Sequence, residues 1–405
     1  MVIFLSLEAI MKSNVSIPVA IQLCFDDVGW QNGEDQRADL GLPARSGISR
    51  MHEPEDYLII HELGKAINQK ILAPLVLGEW DKDNLLRGKV GFSHNPSGWD
   101  RASEIDYEKT QKCFDILESS DYIEYAIHGV LHSCYTPEGK LITCKEYFRF
   151  GETVDGKETM YLESEEEFNT RIELFYGIYN SWGFKKKIRT FVSPCGMKHA
   201  DDATVCDLES RLSKLGIQYH TNYTFHFDDP IRVYSGITLM KKGCSYKKPG
   251  GILEWNVYDF DPKTFVPFVS PENFGGTNII GLHWTNLLRY QPETNLERLP
   301  DWIEYFRRES ETFGTMISRD IGFSATQQFY NKFANIEALN GKYVFDLCEV
   351  KKIKPSYCPD EFYVSFKNGT VPKSCVGGAF SLYEEHEEFK TYKITHTDKT
   401  VEIII

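Results

Sequence analysis

Along residues 18–284, short unbroken apolar runs alternate with longer stretches whose apolar positions recur every three or four residues. The runs are PVAIQL (Pro18–Leu23), ILAPLVL (Ile71–Leu77), YIEYAIH (Tyr122–His128), KIRTFV (Lys187–Val192), IQYH (Ile217–His220), ILEWNV (Ile252–Val257) and NIIGLHW (Asn278–Trp284). Each has strand length, and a strand covered on both faces needs no polar alternation. Between them the spacing predicts helices. One covers Glu55 to Gln69. A second has Ile105, Phe114 and Leu117 at helical spacing, with Cys113 blurring the stripe. A third carries Phe168, Ile172, Phe175 and Tyr179 on one face, with Gly183 as its stop. A fourth has Val205, Leu208, Leu212 and Leu215, ended by Gly216, and LERLPDWIEYFRRES closes the series.

Strand, helix, strand repeated in this way implies parallel pairing with right-handed crossovers. The fold class predicted is α/β, a (β/α)7-type barrel in preference to an open doubly wound sheet. Two insertions interrupt it. Gln31–Met51 is polar and Gly-rich, and Thr136–Met160, with its PEGK turn, reads as a hairpin. After Asn340 the period changes to two, in KYVFDLCEV, EFYVSFKNGT, AFSLYEEH, FKTYKITHT and TVEIII. The expected domains are therefore a barrel over 1–338 and a small all-β domain over 339–405.

Composition narrows the partners. The 405 residues are 41% hydrophobic and 14% aromatic, enough for a large core, and the formal net charge is −14. Such a chain repels phosphate backbones, so no nucleic-acid partner is expected, and a neutral or cationic small substrate fits better. The ten cysteines show no CxxC and no regular spacing, which points to reduced thiols and a cytoplasmic location. The apolar start MVIFLSLEAIM lacks a basic leader region and reads as an edge segment, and no run has membrane-spanning length. A homo-oligomer is compatible with all of this.

The candidate chemistry sits at the ends of the predicted strands, where such folds place their sites. CFDDVGW puts Asp26 and Asp27 side by side where the first strand leaves the core. Two buried carboxylates without compensation are costly, and a divalent cation removes the cost; a solvated turn would do so as well. In AIHGVLH, His128 and His132 are four apart, and share one face if the turn is helical. Two histidines and one of the two carboxylates make a three-ligand set with open positions, leaving the other acid as a base. In TFVSPCG, Pro194 fixes a turn that would let the Cys195 backbone N–H act as an oxyanion donor. His283, in IIGLHWTN, is placed to protonate a leaving group or to bond a neighbouring loop. Trp30, Trp99 and Trp284 are candidates for stacking on sugar rings or for core packing.

Taken together, these stretches resemble the polysaccharide deacetylase family, the NodB-homology (family 4) carbohydrate esterases. CFDD is similar to the family's T-F-D-D, HGVLH to its H-[ST]-x-x-H, FVSPCG to its F-R-P-P-Y-G, and GLHW to its L-x-H strand end, in family order from Cys24 to Trp284. The resemblance implies a distorted (β/α) barrel with a single divalent metal ion, zinc before cobalt, nickel, manganese or iron. It implies Asp26 as general base, Asp27, His128 and His132 as metal ligands, His283 as general acid, and the Cys195 N–H as oxyanion donor. Three positions depart from the pattern. Gly129 stands where the family has a hydroxyl residue, and Val192 stands where it has the arginine that orients the base. Arg189 is an odd number of strand positions from Val192 and so faces the other way. For the fourth motif only Trp255 and Asp259 come forward.

The expected activity is metal-dependent removal of an acyl group, such as acetyl, from an N-acylated amino sugar or related carbohydrate. The alternatives are a catalytically silent carbohydrate-binding relative and a metal-dependent hydrolase of another amide or ester.

Overall fold

The computed structural model describes residues 14–30, 50–143, 145–154, 157–194, 196–197, 199–223, 225, 227–244, 278–310 and 312–405. They form two compact units. One is Leu23–Tyr305, and the other joins Met1–Gln22 to Phe306–Ile405. The period-two segment after Asn340 lies within the second of these units.

Seven strands close the barrel: β2 (Val19–Asp26), β3 (Ile71–Val76), β4 (Ile123–Gly129), β9 (Thr190–Val192), β10 (Tyr219–Asn222), β12 (Ile237–Cys244) and β13 (Ile279–His283). The order around the ring is β2, β3, β4, β9, β10, β12, β13. Parallel pairing of β10 with β12, Tyr219 opposite Thr238 through Asn222 opposite Lys241, completes the circle. The short strand β11 (Ile231–Tyr234) folds back on β12 as an antiparallel hairpin. Every residue of β2 and β3 is buried, which is why their sequences run apolar without alternation. The barrel's sixth strand is Ile237–Cys244. The expected run Ile252–Val257 lies outside the described residues, as do Trp255 and Asp259.

The helices start and stop where their caps dictate. In α1 (Pro54–Ile67), the Asp56 carboxylate accepts the Glu53 N–H and Asn68 closes the helix at φ 53°. Asp106 accepts the Lys109 N–H at the head of α2 (Tyr107–Ser119). The buried stripe of α2 is Thr110, Cys113 and Leu117, so Cys113 belongs to the core face. Ser164 and Glu167 form a reciprocal capping box on α3 (Glu165–Trp182), which ends on Gly183 at φ 86°. Asp201 caps α4 (Asp202–Lys214).

The insertion after β4 forms two ladders where one hairpin was expected. One pairs β5 (Cys134–Tyr135) with β6 (Leu141–Thr143), and the other pairs β7 (Phe148–Val154) with β8 (Lys157–Leu162). Residues 31–49 of the first insertion lie outside the described residues.

In the other unit, the short β14 (Thr315–Ile317) pairs in parallel with Val19–Ile21, and β1 (Val15–Ser16), β17 (Glu361–Lys367), β20 (Phe389–His396) and β19 (Gly378–Glu385) make one antiparallel sheet. A second antiparallel sheet has the order β15 (Asn335–Leu339), β16 (Lys342–Asp346), β21 (Thr400–Ile404), β18 (Ser374–Val376). A helix, α5 (Ile321–Phe333), packs on the first sheet. Tyr330 stacks on Phe362 at 4.6 Å, and the Gln327 side chain both donates to and accepts from the Tyr363 backbone at 2.9 Å.

Candidate metal centre

The C-terminal ends of β2, β4 and β13 converge. Asp26 is the last residue of β2, and Asp27 follows in a turn with φ 70°. The turn is fixed from both sides: the Val28 N–H donates to Pro74 O at 3.1 Å, and the Val76 N–H donates to Val28 O at 2.9 Å. Beyond it, Trp80 Nε1 donates to Gly29 O at 2.6 Å. Adjacent residues at a strand end can diverge, and here they do.

Asp27 faces imidazoles. Its Oδ1 lies 3.3 Å from His128 Nε2 and 3.9 Å from His132 Nε2, and its Oδ2 lies 3.8 Å from His283 Nε2. One ligand atom each from Asp27, His128 and His132 fall within 4.8 Å of one another. Donor atoms about 2.0–2.2 Å from a tetrahedral zinc ion sit roughly 3.4 Å apart, so this spacing is close to a coordination shell.

The hydrogen bonding argues the same way. His128 Nδ1 donates to Val192 O at 2.7 Å, and a carbonyl can only accept. A neutral His128 therefore turns an Nε2 lone pair toward Asp27 Oδ1, a buried oxygen that accepts no hydrogen bond among the described residues. Two lone-pair bearers so close need positive charge between them, from a shared cation or from a proton on Nε2. Burial drives the Asp27 carboxyl upward, but the His128 contact and the charges of His132, His283 and His128 outweigh it, holding it well below the usual carboxylate range. Burial pulls His128 down, yet Asp27 and Asp26 reverse this and leave it raised despite Lys242. One carboxylate and two imidazoles are a donor set suited to zinc or another divalent first-row ion.

Asp26 faces elsewhere. Lys242 Nζ, on β12, donates to its Oδ2 at 2.6 Å and to its Oδ1 at 2.8 Å, and Cys24 Sγ donates to Oδ1 at 3.4 Å. The ammonium is itself buried and lies 4.3 Å from the centroid of the Tyr223 ring. Lys242 thus stands beside Asp26 and holds both of its carboxylate oxygens. Arg189 instead pairs with Glu124 at 3.8 Å. Sequence reading missed Lys242. The one signal for it is a lysine pair ending the apolar run ITLM.

The turn bearing the histidines is not helical. After β4 ends at Gly129 (φ 153°), the chain bends through Val130 and Leu131 to His132 (φ 56°). Both Glu146 carboxylate oxygens accept the Val130 N–H at 3.1 Å, and the His132 N–H also points to this group. On the other side, Leu77 N–H donates to Gly129 O and Gly78 N–H to Val130 O, at 3.3 and 2.6 Å. Burial pushes the Glu146 carboxyl up, against the pull of Arg171 and the two N–H groups.

The three tryptophans are buried in packing. Trp30 lies 5.4 Å from the His132 ring, Trp99 Nε1 donates to Asp81 Oδ2, and Trp284 Nε1 donates to Asp56 O, each at 2.9 Å. Cys195, the expected N–H donor, lies outside the described residues.

Next to Val192 a second polar array appears. Ser193 Oγ is 3.0 Å from His220 Nε2, and His220 Nδ1 bonds Glu209 Oε1. The order of a nucleophile triad is present, but its surroundings are wrong. Asn222 Nδ2 donates to Ser193 Oγ at 2.7 Å, and Ser193 is only 3% exposed, so the array reads as a buried brace.

The chain is thus a closed parallel (β/α) barrel that gathers a carboxylate and two imidazoles at the C-terminal ends of its strands. No family model and no curated protein matches the sequence. Among solved structures, it is similar to a Mycobacterium smegmatis protein described as a polysaccharide deacetylase (10% identity, 79% of this chain and 93% of that one, TM-score 0.43). It is also similar to a family 4 carbohydrate esterase from Streptomyces lividans (12% identity, 74% and 92%, TM-score 0.32). A third is a GH30 endoxylanase from Clostridium papyrosolvens (8% identity, 96% and 98%, TM-score 0.34). Likenesses this distant carry no argument, and the fold and site rest on the strands and side chains above.

Proposed function

We propose that the chain is a metal-dependent hydrolase removing an acyl group, acetyl in the simplest case, from an N-acylated amino sugar or related carbohydrate. The observation that carries this reading is the convergence of Asp27, His128 and His132 within 4.8 Å, with His283 against the same carboxylate. The ordered motif resemblance from Cys24 to Trp284 supports it independently. Asp27, His128 and His132 would hold one divalent ion, zinc first. When bound, that ion supplies Lewis acidity toward the acyl oxygen and a more acidic water.

The chain's own groups divide the remaining work. Asp26, its carboxylate oriented by two hydrogen bonds from Lys242, takes the proton of the attacking water. His283 returns a proton to the departing amine. The Cys195 N–H is proposed as a donor to the developing oxyanion. The chain's net charge of −14 suits a neutral or cationic amino sugar. Scattered thiols, with Cys24, Cys113 and Cys134 buried, suit a reducing compartment such as the cytoplasm.

Elemental analysis of the purified chain, paired with acetate release from a panel of N-acetylated sugars, tests the reading. About one equivalent of divalent metal is expected in wild type and none in His128→Ala, and acetate release is expected to be lost in Asp26→Asn. A folded, metal-replete wild type that releases no acyl group would remove the activity. The engagement of both Asp26 oxygens by Lys242 favours one second reading, a carbohydrate-binding protein without turnover. Saturable sugar binding without product would select it.

A further inference from the structure

The histidine turn has an unusual need. Two of its four residues, Gly129 and His132, hold positive φ, and left-handed backbone is costly for a non-glycine residue. Something must stabilise it, and no hydroxyl at position 129 is present to do so. The backbone N–H groups of Val130 and His132 instead both turn toward one carboxylate, that of Glu146, in the manner of an anion nest.

Glu146 comes from the connection between β6 and β7, outside the barrel ring, and is wholly buried. Arg171 on α3 anchors it there. Arg171 Nη1 donates to Glu146 Oε1 at 3.2 Å, and its Nε donates to both oxygens of Glu163 at 2.9 Å. Arg149 Nη2 reaches Glu163 at 3.2 Å and Glu167 at 2.8 Å. The buried acids are thus matched by guanidinium groups, as buried charge requires. The fit at Gly129 adds to this: a Cβ there would run into Glu146 Oε2. Glycine at this position and glutamate at 146 are two halves of one contact.

We infer that Glu146, held by Arg171, is the positioning residue that shapes the 129–132 turn and so aims His128 and His132 at a shared ion. The inference rests on the metal-site reading above and deepens it. Glu146 acts through the backbone between the two ligands, at the Val130 and His132 N–H groups.

Two variants of the full chain test it, Glu146→Gln and Gly129→Ala. The first keeps the side chain's size and removes its charge. The second keeps the charge and displaces the carboxylate. Zinc affinity, by competition with a chromophoric chelator, is expected to weaken about 10–100-fold in both, the usual effect of losing a group that orients a ligand. Amide hydrogen exchange over residues 128–133 should quicken while the rest of the chain exchanges as in wild type. Variants that bind zinc as tightly as wild type, or exchange that rises throughout the molecule, would overturn the inference. Should wild type bind no zinc, the ligand set fails instead, and exchange over 128–133 still decides whether Glu146 shapes the turn.

Discussion

Lys242 Nζ sits 2.6 and 2.8 Å from the two oxygens of Asp26, with all three atoms withdrawn from water. The adjacent acids at the end of β2 therefore have separate partners. Asp26 is matched by a lysine from β12, and Asp27 by imidazoles from β4 and β13. Breaking the first pair leaves a buried carboxylate alone. Lys242→Met should cost about 3–5 kcal/mol of stability, and Asp26→Leu in the same chain should recover most of that. Urea denaturation of wild type, the single variant and the double variant reads this directly. Equal midpoints for the three would show that the pair contributes nothing.

His283 is predicted to act on the proton and not on the metal. Its Nε2 is 3.8 Å from Asp27 Oδ2, the oxygen turned away from His128. His283→Asn should lower kcat about 10²–10⁴-fold, the range for a lost general acid, while metal content stays at the wild-type level. Loss of the metal together with the activity would make His283 a ligand.

Acid sensitivity should come partly from His52. It is buried against Tyr57, with Nδ1 2.6 Å from the hydroxyl, and burial, aided by the charges of Lys109, Arg101 and Arg50, lowers its pKa to about 3. A group depressed on folding adds stability that is complete above its unfolded pKa, near 6.5, and is lost as pH falls toward 3. The slope is about 1.4 kcal/mol per pH unit at most, hence roughly 2 kcal/mol between pH 6.5 and 5. Thermal melts at those two pH values should converge in His52→Gln. An unchanged difference would assign the acid loss to other groups.

Ser193 should be unreactive. A fluorophosphonate directed at activated serines is expected to leave it unlabelled by mass spectrometry. Ser193→Ala should cost about 1–3 kcal/mol, because it strands His220 Nε2 in a dry interior. Labelling at Ser193 would turn the brace into a nucleophile.

Much of this was legible in the sequence, for physical reasons that also explain what was not. Parallel barrel strands are covered on both faces, so PVAIQL and ILAPLVL announce themselves as apolar runs. Helices announce themselves by stripe and cap, as Phe168, Ile172, Phe175 and Tyr179 do behind Ser164. Strand β12 failed to register because its site-facing end carries Lys241 and Lys242, and a buried ammonium looks like a surface one until its carboxylate is known. The histidine pair was found, but its geometry was not: four-residue spacing suggests a helical face, whereas the turn is a bend imposed by Glu146. Nothing local to residues 128–132 names a partner that arrives from beyond β6 and is fixed by Arg171 on α3. Long-range charge pairing of this kind leaves no period in a sequence.

The hairpins between β4 and α3 look like an appendage that a shortened chain could shed. Joining Leu131 directly to α3 would discard Glu146 and Glu163 and leave the Arg171 guanidinium buried with no counter-charge. The same contact restrains change residue by residue. While Arg171 holds the glutamate at 146, a side chain at 129 would run into it, and the Val130 and His132 N–H groups of the bend both turn to that carboxylate. Each locks the other, so neither site can drift alone, whichever arose first.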